Sequence, residues 1–382
     1  MKTHKRRSGA SLLCPLLALG LYPACGGEAP DTHETLETGT TSEALYVRPE
    51  NWGYNSTTFR ALIGATDNLE IVTGDFDGNG RDDIAVVRWN LIAVAFNSQS
   101  SNGTFPLVVL YPLTGAFSTA VTQAKQAVVG DFDADGRDDI ALVGGSGWTN
   151  IPVAYGQSGG GFTPVFKSAA LFAYWAQFSG VQAAAGDFDA NGRDDLVLAG
   201  GATWSSLVVA FSSNSSNTFV VQYGYAPSFL TWAAQPGAQL VAGDFDGDGY
   251  DDVAVAGAAS FSTVGLALSH GNGSWTSTFR NAPNLVWASK QPGARVLVGD
   301  YSGSAADDFA VSGNPQTAYV RFAITQGTNA QLAEEAEYAP AFAAEADSAD
   351  YILSGNLDGA DGDDLYTGNG QDNFASVLRV IP

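Results

Sequence analysis

The sequence is poor in the residues that build reactive and cross-linked sites. Of its 382 residues, two are cysteine and three are histidine. Both cysteines, Cys14 and Cys25, fall in the first 25 residues, so the chain beyond them cannot form a disulfide of its own. From residue 45 onward there is one histidine, His270, which leaves little from which to build a zinc site or a Ser–His–Asp triad. We therefore predict that the protein is not an enzyme.

Basic residues are scarce as well. Lysine and arginine together number 17, against 40 aspartate and glutamate residues, and the formal net charge is −23. A chain with this balance repels a phosphate backbone, so we expect no nucleic-acid partner. Much of the acidic excess lies in repeated aspartate clusters, which favours cation binding over a general solubility charge.

The N-terminal region contains one apolar stretch, residues 12–21, which is too short to span a membrane. It follows a basic start, as in an export signal. Residues 21–27 resemble a bacterial lipoprotein signal, which predicts a signal peptide over 1–25 and lipidation of Cys25; plain secretion is the alternative. Residues 26–44 have the composition of a flexible linker. We expect an exported bacterial protein, either an outer-membrane lipoprotein or secreted, that meets a membrane only through this lipid anchor.

One motif recurs six times in the rest of the chain. The first copy reads GDFDGNGRDDI, and the copies begin at Gly74, Gly130, Gly186, Gly243, Gly299 and Gly355. Successive motif glycines lie 56 or 57 residues apart. A repeat of this length is typical of propellers and solenoids.

Each repeat contains four short apolar segments separated by turn residues, which predicts a four-stranded blade. The segment before each motif is rich in small residues, such as 183–186, and suits the crowded strand near a propeller axis. Residues 45–73 and 355–382 together make up one further repeat. We therefore predict an all-β fold for residues 45–382, a six-bladed β-propeller. In it a strand near residues 45–48 completes the last blade and closes the ring. Seven blades are the alternative.

The motif also has the spacing of a cation-binding loop. Counted from its first aspartate, positions 1, 3, 5 and 9 carry side-chain oxygens, position 6 is a glycine that permits the turn, and position 7 offers a carbonyl. Calcium prefers six to eight oxygen ligands of this kind. Simple turn formation by Asp and Asn is the alternative. Four complete copies favour the cation, because carboxylates crowded together without one would repel each other.

We predict about four calcium sites with a structural role in a domain that has no disulfides. Their ligands are Asp75, Asp77, Asn79, Arg81 and Asp83; Asp131, Asp133, Asp135, Arg137 and Asp139; Asp187, Asp189, Asn191, Arg193 and Asp195; Asp244, Asp246, Asp248, Tyr250 and Asp252. The fifth and sixth copies are degenerate, so we expect weak or empty sites there. They carry Asp300, Ser302, Ser304 and Asp308; Asn356, Asp358, Ala360 and Asp364.

The repeats resemble the FG-GAP (VCBS-type) repeats of integrin α-subunit propellers. A longer pattern, with Trp148 and Tyr155 ahead of a Gly-rich turn and Phe172 and Trp175 before the next motif, resembles the Psathyrella velutina lectin family. That resemblance implies a calcium-stabilised propeller that binds N-acetylglucosamine-type or sialylated glycans, free or on glycoproteins, in pockets between blades. The family has seven blades, one more than the repeats of this chain provide.

Two recurrent tryptophan positions are the candidate sugar-binding residues, because an indole face can stack on the apolar face of a sugar. Packing of blade against blade is the alternative for each of them. The candidates are Trp89, Trp148 and Trp204 after the motif, and Trp175, Trp232 and Trp287 before the next one. The alternative for the whole protein is an integrin-like cell-surface scaffold that binds other proteins and no sugar.

Overall fold

The structure is a computed structural model and describes residues 46–382, apart from 55–56, 66–67, 89, 98–103, 214–217, 314–317, 350, 358, 360–361, 369–373 and 382. The predicted signal peptide with Cys25, the predicted linker over 26–44, and Trp89 lie outside the described residues. So do Asp358 and Ala360 of the sixth motif.

Strands make up most of the described chain. They are β1 (Tyr46–Tyr54), β2 (Asn68–Gly74), β3 (Asp83–Arg88), β4 (Leu91–Phe96), β5 (Thr104–Phe105), β6 (Leu107–Pro112), β7 (Gln126–Gly130), β8 (Asp139–Val143), β9 (Asn150–Gln157), β10 (Gly161–Ser168), β11 (Gln182–Gly186), β12 (Asp195–Ala199), β13 (Ser206–Phe211), β14 (Val220–Tyr225), β15 (Gln239–Gly243), β16 (Asp252–Ala256), β17 (Val264–Ser269), β18 (Trp275–Arg280), β19 (Arg295–Gly299), β20 (Asp308–Ser312), β21 (Tyr319–Gln326), β22 (Gln331–Tyr338), β23 (Tyr351–Gly355), β24 (Asp364–Gly368) and β25 (Phe374–Ile381).

The strands form six sheets, each a blade of four antiparallel strands in the order expected for a propeller; the sheet of blade 6 has the short strand β5 as a fifth, parallel member. Blade 1 is β2-β3-β4-β6, and blades 2 to 5 are β7 to β10, β11 to β14, β15 to β18 and β19 to β22. Blade 6 contains β23, β24 and β25. The innermost strands β2, β7, β11, β15, β19 and β23 each contact the next, and β23 contacts β2. The prediction of a six-bladed propeller is confirmed, and the seven-bladed alternative is wrong.

The N-terminal strand β1 belongs to the sheet of blade 6. It pairs antiparallel with β25, from Tyr46 opposite Ile381 to Gly53 opposite Phe374, and is longer than the segment predicted near residues 45–48. The two-residue strand β5 pairs in parallel with the C-terminal end of β1. That this pairing holds the ring closed stays a prediction.

A short helix precedes the inner strand of each blade. The helices are α1 (Thr57–Ile63), α2 (Gly115–Gln123), α3 (Ala170–Ala176), α4 (Pro227–Ala233), α5 (Pro283–Ser289) and α6 (Pro340–Ser348). Proline begins α4, α5 and α6, where its missing N–H leaves no intrahelical bond unmade. The sequence analysis did not predict these helices, because two turns are too short to show a helical period. In the part of the chain that the structure describes, no helix is long and apolar enough to cross a bilayer.

The apolar core lies within and between the blades. Strands β8, β12, β16, β20 and β24, each second in its blade, are buried at every position. Between blades, the motif phenylalanine packs on an aromatic residue at the start of the next blade's outer strand. The ring pairs are Phe76–Phe162, Phe132–Phe219 and Phe188–Trp275, with centroids 5.7, 6.1 and 5.5 Å apart. Burying an aromatic side chain of this size contributes about 1.5–3 kcal/mol.

A reciprocal pair of hydrogen bonds joins every blade to its neighbour. The aspartate at motif position 8 donates its backbone N–H to the carbonyl of position 1 in the preceding blade, and its carboxylate accepts the N–H of that same residue. At Asp138 and Asp75 the two distances are 3.0 and 2.8 Å. The same pair recurs at Asp82, Asp194, Asp251, Asp307 and Asp363. We call this contact the interblade latch.

The motif glycine is needed because the latch carboxylate lies against its Cα. A Cβ on Gly130 would sit 2.5 Å from Asp194 Oδ2 and 2.8 Å from its Cβ. The carboxylate would have to withdraw, and its hydrogen bond to the Asp131 amide would be lost. The same obstruction exists at all six motif glycines, since each faces a latch aspartate.

We expect Gly130→Ala to lower the free energy of unfolding by about 1–3 kcal/mol, the usual range for overpacking. Gly161→Ala is the matched control, because Gly161 is also in a strand but its added Cβ would meet nothing closer than 4.0 Å. Thermal melting of the two variants beside the parent protein makes the comparison. Equal melting temperatures for both variants would contradict the importance of the latch.

Candidate functional site

The aspartate at position 1 folds each motif into a tight loop. Asp75 Oδ1 accepts the N–H groups of Gly78 and Asn79 at 2.8 and 2.9 Å, and Oδ2 accepts that of Gly80 at 2.7 Å. Gly80 has φ of 83°, the left-handed region that favours glycine. Asp131, Asp187 and Asp244 make equivalent bonds. The aspartate at position 1 therefore does form the turn, which was the alternative to cation binding in the sequence analysis.

The same loops bring further carboxylates together. In each of four groups the ligand atoms lie within 4.8 Å of one another; the groups are Asp75, Asp77 and Asp83; Asp131, Asp133 and Asp139; Asp187, Asp189 and Asp195; Asp244, Asp246 and Asp248. Each of the four loops also buries an oxygen that has no hydrogen-bond partner: Asn79 Oδ1, Asp133 Oδ1, Asp195 Oδ2 and Asp246 Oδ1. A hard cation would satisfy these oxygens. The donor set of the four complete loops thus fits calcium.

The aspartate at position 9 has a structural role in addition to its predicted role as a calcium ligand. Asp83 is completely buried; its Oδ1 accepts the Asn97 amide at 2.7 Å and its Oδ2 the Phe76 amide at 3.2 Å. The carboxylate therefore ties the loop to the end of the third strand. In the degenerate fifth copy, Asp308 accepts the Thr325 amide in the same way. This second role explains why position 9 remains aspartate in a copy whose positions 3 and 5 are serine.

Position 7 contributes side chains that the prediction did not consider. Arg81 and Arg193 donate to the carbonyls of Leu357 and Phe132 in the preceding blade, at 3.1 and 3.4 Å. Arg137 instead forms an ion pair with Asp135 of its own loop. The predicted carbonyl ligands of Arg81, Arg137, Arg193 and Tyr250 stay predictions. Among the described residues of the fifth and sixth motifs, no group of three acidic residues comes together.

The tryptophan candidates lie beyond the opposite ends of the strands. The second strand of a blade starts at the motif and ends at the loop that carries Trp148 in blade 2 or Trp204 in blade 3. The other set follows the outer strands: Trp175 lies on α3, Trp232 on α4 and Trp287 on α5. The tryptophans and the motif loops are therefore at opposite faces of the ring.

In blade 3 the two tryptophan positions meet around an open cleft. The rings of Trp175 and Trp204 are 5.3 Å apart and nearly perpendicular, at 79°. Trp175 Nε1 donates to the Tyr223 hydroxyl at 3.1 Å. The cleft measures about 620 Å³, and none of its lining residues is charged: Trp175, Phe178, Ser179, Gly201, Ala202, Thr203, Trp204, Ser205, Ser206, Val208 and Tyr223. Indole faces beside hydroxyl groups can bind a molecule that is partly apolar and partly hydroxylated.

The equivalent places in blades 2 and 4 are built differently. In blade 4, Phe261 stacks on Trp232 at 4.5 Å and 24°, and Phe279 covers the same ring at 4.7 Å. In blade 2, the Trp148 indole donates to the Gln123 side chain at 3.0 Å, and α2 carries no tryptophan. Trp287 is 43% exposed; residues 314–317, which follow the second strand of blade 5 in the sequence, lie outside the described residues.

Two features of the sequence accompany the cleft and did not enter its prediction. A Cβ on Gly201 would lie 2.0 Å from the Trp204 ring. A glycine three residues before the tryptophan therefore allows the indole to pack directly against the backbone. The same contact exists between Gly145 and Trp148. The second feature is Tyr223, whose counterpart in the cross-strand position of blade 4 is the space-filling Phe279. Tyr223 and Phe178 are the aromatic cleft residues that the prediction missed.

We expect chelation with EDTA to lower the melting temperature sharply, because a ligand that binds the folded state stabilises it. Asp133→Ala should do so mildly, since three complete loops remain; each kcal/mol lost corresponds to about 2–4 °C. Ser302→Ala is the matched control at the same motif position in a degenerate copy, and it should leave the calcium-dependent shift unchanged. A melting curve that EDTA does not move would contradict the calcium sites.

The pH dependence of stability should reverse between chelated and calcium-loaded protein. Burial, with the neighbouring carboxylates, raises the pKa of Asp83, Asp139, Asp195 and Asp252 to about 9. These pKa values exceed the ordinary carboxyl value of about 4. The contribution of the four protonated carboxyls to the free energy of unfolding is therefore complete below about pH 4, and it is lost as the pH rises through about 9.

In EDTA, therefore, the melting temperature should fall between about pH 5 and pH 9. In excess calcium it should rise over the lower part of that range, because calcium ligands must be deprotonated to bind. Melting curves at matched pH and ionic strength test both trends. Parallel curves in the two media would show that these carboxyls do not take part in cation binding.

Comparison with known proteins agrees with this architecture. The profile of the FG-GAP-like repeat matches residues 75–142 and 187–255, each span running from one motif to the second strand of the next blade. Among solved structures, an Agrocybe aegerita lectin that specifically recognises non-reducing terminal N-acetylglucosamine superposes with a TM-score of 0.54 at 18% identity, over 81% of this chain and 79% of that chain. None of the curated proteins matches the chain. The chain is a six-bladed β-propeller in which two spans match the FG-GAP-like repeat, and its fold is similar to that of a lectin propeller.

Proposed function

We propose that the protein is a carbohydrate-binding propeller, stabilised by calcium, and that its glycan site is the cleft of blade 3. The observation that carries the proposal is the pairing of Trp175 and Trp204 in an open, uncharged cleft rimmed by serine and threonine hydroxyls. An indole face covers the apolar C–H face of a sugar, and hydroxyl groups exchange hydrogen bonds with its edge.

Terminal N-acetylglucosamine-type sugars are the preferred ligand class in this proposal. The Agrocybe aegerita lectin, whose fold is similar, recognises that terminal sugar. Sialylated glycans are the second class, but their carboxylate would find no basic side chain in the cleft and would meet a chain of net charge −23. The glycan can be free or carried on a glycoprotein.

Calcium has a structural role in this proposal and makes no contact with the sugar. The four complete motif loops lie at the face of the ring opposite the cleft, since a full second strand separates each loop from the tryptophan loop of its blade. The cation would stabilise the motif loops, and the residue at position 1 of each loop forms the interblade latch with the next blade. Loss of calcium should then weaken binding only when it unfolds the ring.

Export completes the proposal: the chain would be secreted or held at the bacterial outer membrane through lipid on Cys25, with residues 26–44 as the tether. Binding of glycans at the cell surface requires no catalytic group, and we propose a non-enzymatic role. The alternative is an integrin-like scaffold for protein partners. Exposed aromatic residues such as Tyr319 and Tyr338 on blade 5 are compatible with it.

Binding of N-acetylglucosamine by isothermal titration calorimetry, preceded by a glycan array, tests the proposal. Trp175→Ala and Trp204→Ala should each weaken binding at least about tenfold, which corresponds to about 1.4 kcal/mol. Trp232→Phe is the control, because Trp232 is covered by two phenylalanines in a blade without an open cleft. No binding to any arrayed glycan by protein with an intact melting curve would favour the scaffold.

A further inference from the structure

An exposed aromatic cluster adjoins the cleft of blade 3 and is not explained by packing. Tyr174 and Phe178 flank Trp175 at the end of α3, with ring centroids 5.2 Å and 5.7 Å from it and 5.3 Å from each other. Tyr174 is 49% exposed and Phe178 40%. Phe178 lines the cleft, whereas Tyr174 lies one ring further out. Three aromatic rings thus continue from the cleft onto the surface.

We propose that this cluster is a second subsite, so that the ligand is a neutral oligosaccharide of at least two residues and not a single terminal sugar. The inference rests on the proposed function, because it extends the same cleft. The terminal residue would occupy the cleft that Trp175 and Trp204 line. The next residue would stack on Tyr174, with Phe178 at the junction.

The first argument is a comparison between repeats of the same chain. Aromatic residues occupy both positions beside Trp175 in the blade with the open cleft. In blade 4, where the cleft is filled, the corresponding residues are polar: Thr231 and Gln235. In blade 5 they are Val286, which is buried, and Lys290. The exposed rings therefore accompany the open cleft and do not belong to the general framework of the repeat.

The second argument is that the cluster is held in place from the neighbouring blade. The Lys125 ammonium group donates to the carbonyls of Gln177 and Phe178, the latter at 3.2 Å. The Gln177 side chain donates to the Tyr174 carbonyl at 3.0 Å. The backbone that carries the rings is thus fixed before a ligand arrives, which reduces the entropy lost on binding.

The third argument concerns the chemistry of the ligand. The Tyr174 ring is inclined by 75° to the ring of Trp175 and by 84° to that of Phe178, so the cluster presents an edge and a face in succession. Successive pyranose rings of an oligosaccharide offer alternating apolar faces and hydroxylated edges at a spacing close to that between these rings. None of the residues lining the cleft is charged, which suits a neutral sugar chain.

Calorimetry on the full chain with N-acetylglucosamine, its β1→4-linked dimer and its trimer tests the subsite. We expect the dimer to bind at least about tenfold more tightly than the monosaccharide. Tyr174→Thr, which installs the residue of blade 4, should reduce the affinity for the dimer to that for the monosaccharide. It should leave the affinity for the monosaccharide unchanged, because Tyr174 does not line the cleft.

The outcomes separate the two proposals. Equal affinity for monosaccharide and dimer, or a dimer affinity that Tyr174→Thr does not alter, would overturn the subsite and leave the glycan cleft standing. Tighter binding of a sialylated trisaccharide than of the neutral trimer would overturn the neutral ligand. Failure of the folded protein to bind any of these sugars would overturn the proposed function, and the subsite with it.

Discussion

The interblade latch is the constraint on which the rest of the ring depends. Each blade presents one aspartate whose amide and carboxylate hold both polar groups of a single residue in the blade before it. Buried backbone groups must be paired, and here they are paired across the junction of two sheets, where a propeller has no continuous ladder. The sixth latch runs from Asp82 to Asn356, so the first and last repeats are joined as the others are.

This arrangement concentrates negative charge around the axis. Burial and the neighbouring carboxylate of Asp251 raise the pKa of Asp194 to about 8, and similar causes raise that of Asp307 to about 7. Two hydrogen bonds at every latch offset part of the cost of keeping these groups together. The latch aspartate is also retained in the two degenerate repeats, as Asp307 and Asp363. The contact between neighbouring blades is therefore separate from the predicted cation binding of the same motif.

Much of the fold could be predicted from the sequence because the repeat encodes local structure. The glycine at position 6 and the aspartate at position 1 form the loop through contacts only a few residues apart, as with Gly80 and Asp75. Position 8 could have been recognised, since it is aspartate in all six copies, including those that lack calcium ligands. The helices could not be predicted, because seven to nine residues carry too little periodicity.

The cleft could not be predicted for a different reason. Trp175 and Trp232 occupy the same position in their repeats, yet one borders an open cleft and the other is covered by Phe261 and Phe279. Whether an aromatic ring is accessible depends on side chains from another strand and another loop. Those neighbours are far away in the chain, so the spacing of the tryptophans alone cannot distinguish a binding surface from packing.

The proposed glycan cleft of blade 3 determines the valence of the molecule. In blade 3 the cleft is open, in blade 4 the equivalent position is filled by phenylalanine rings, and in blade 2 the helix α2 lacks the second tryptophan. A ring with six-fold architecture would then engage a glycan as a monovalent unit. Firm attachment to a surface coated with sugars would come from many chains held side by side, where the effective concentration of neighbouring clefts replaces affinity at each one. Crowding of chains, and not repetition of blades, would supply the avidity.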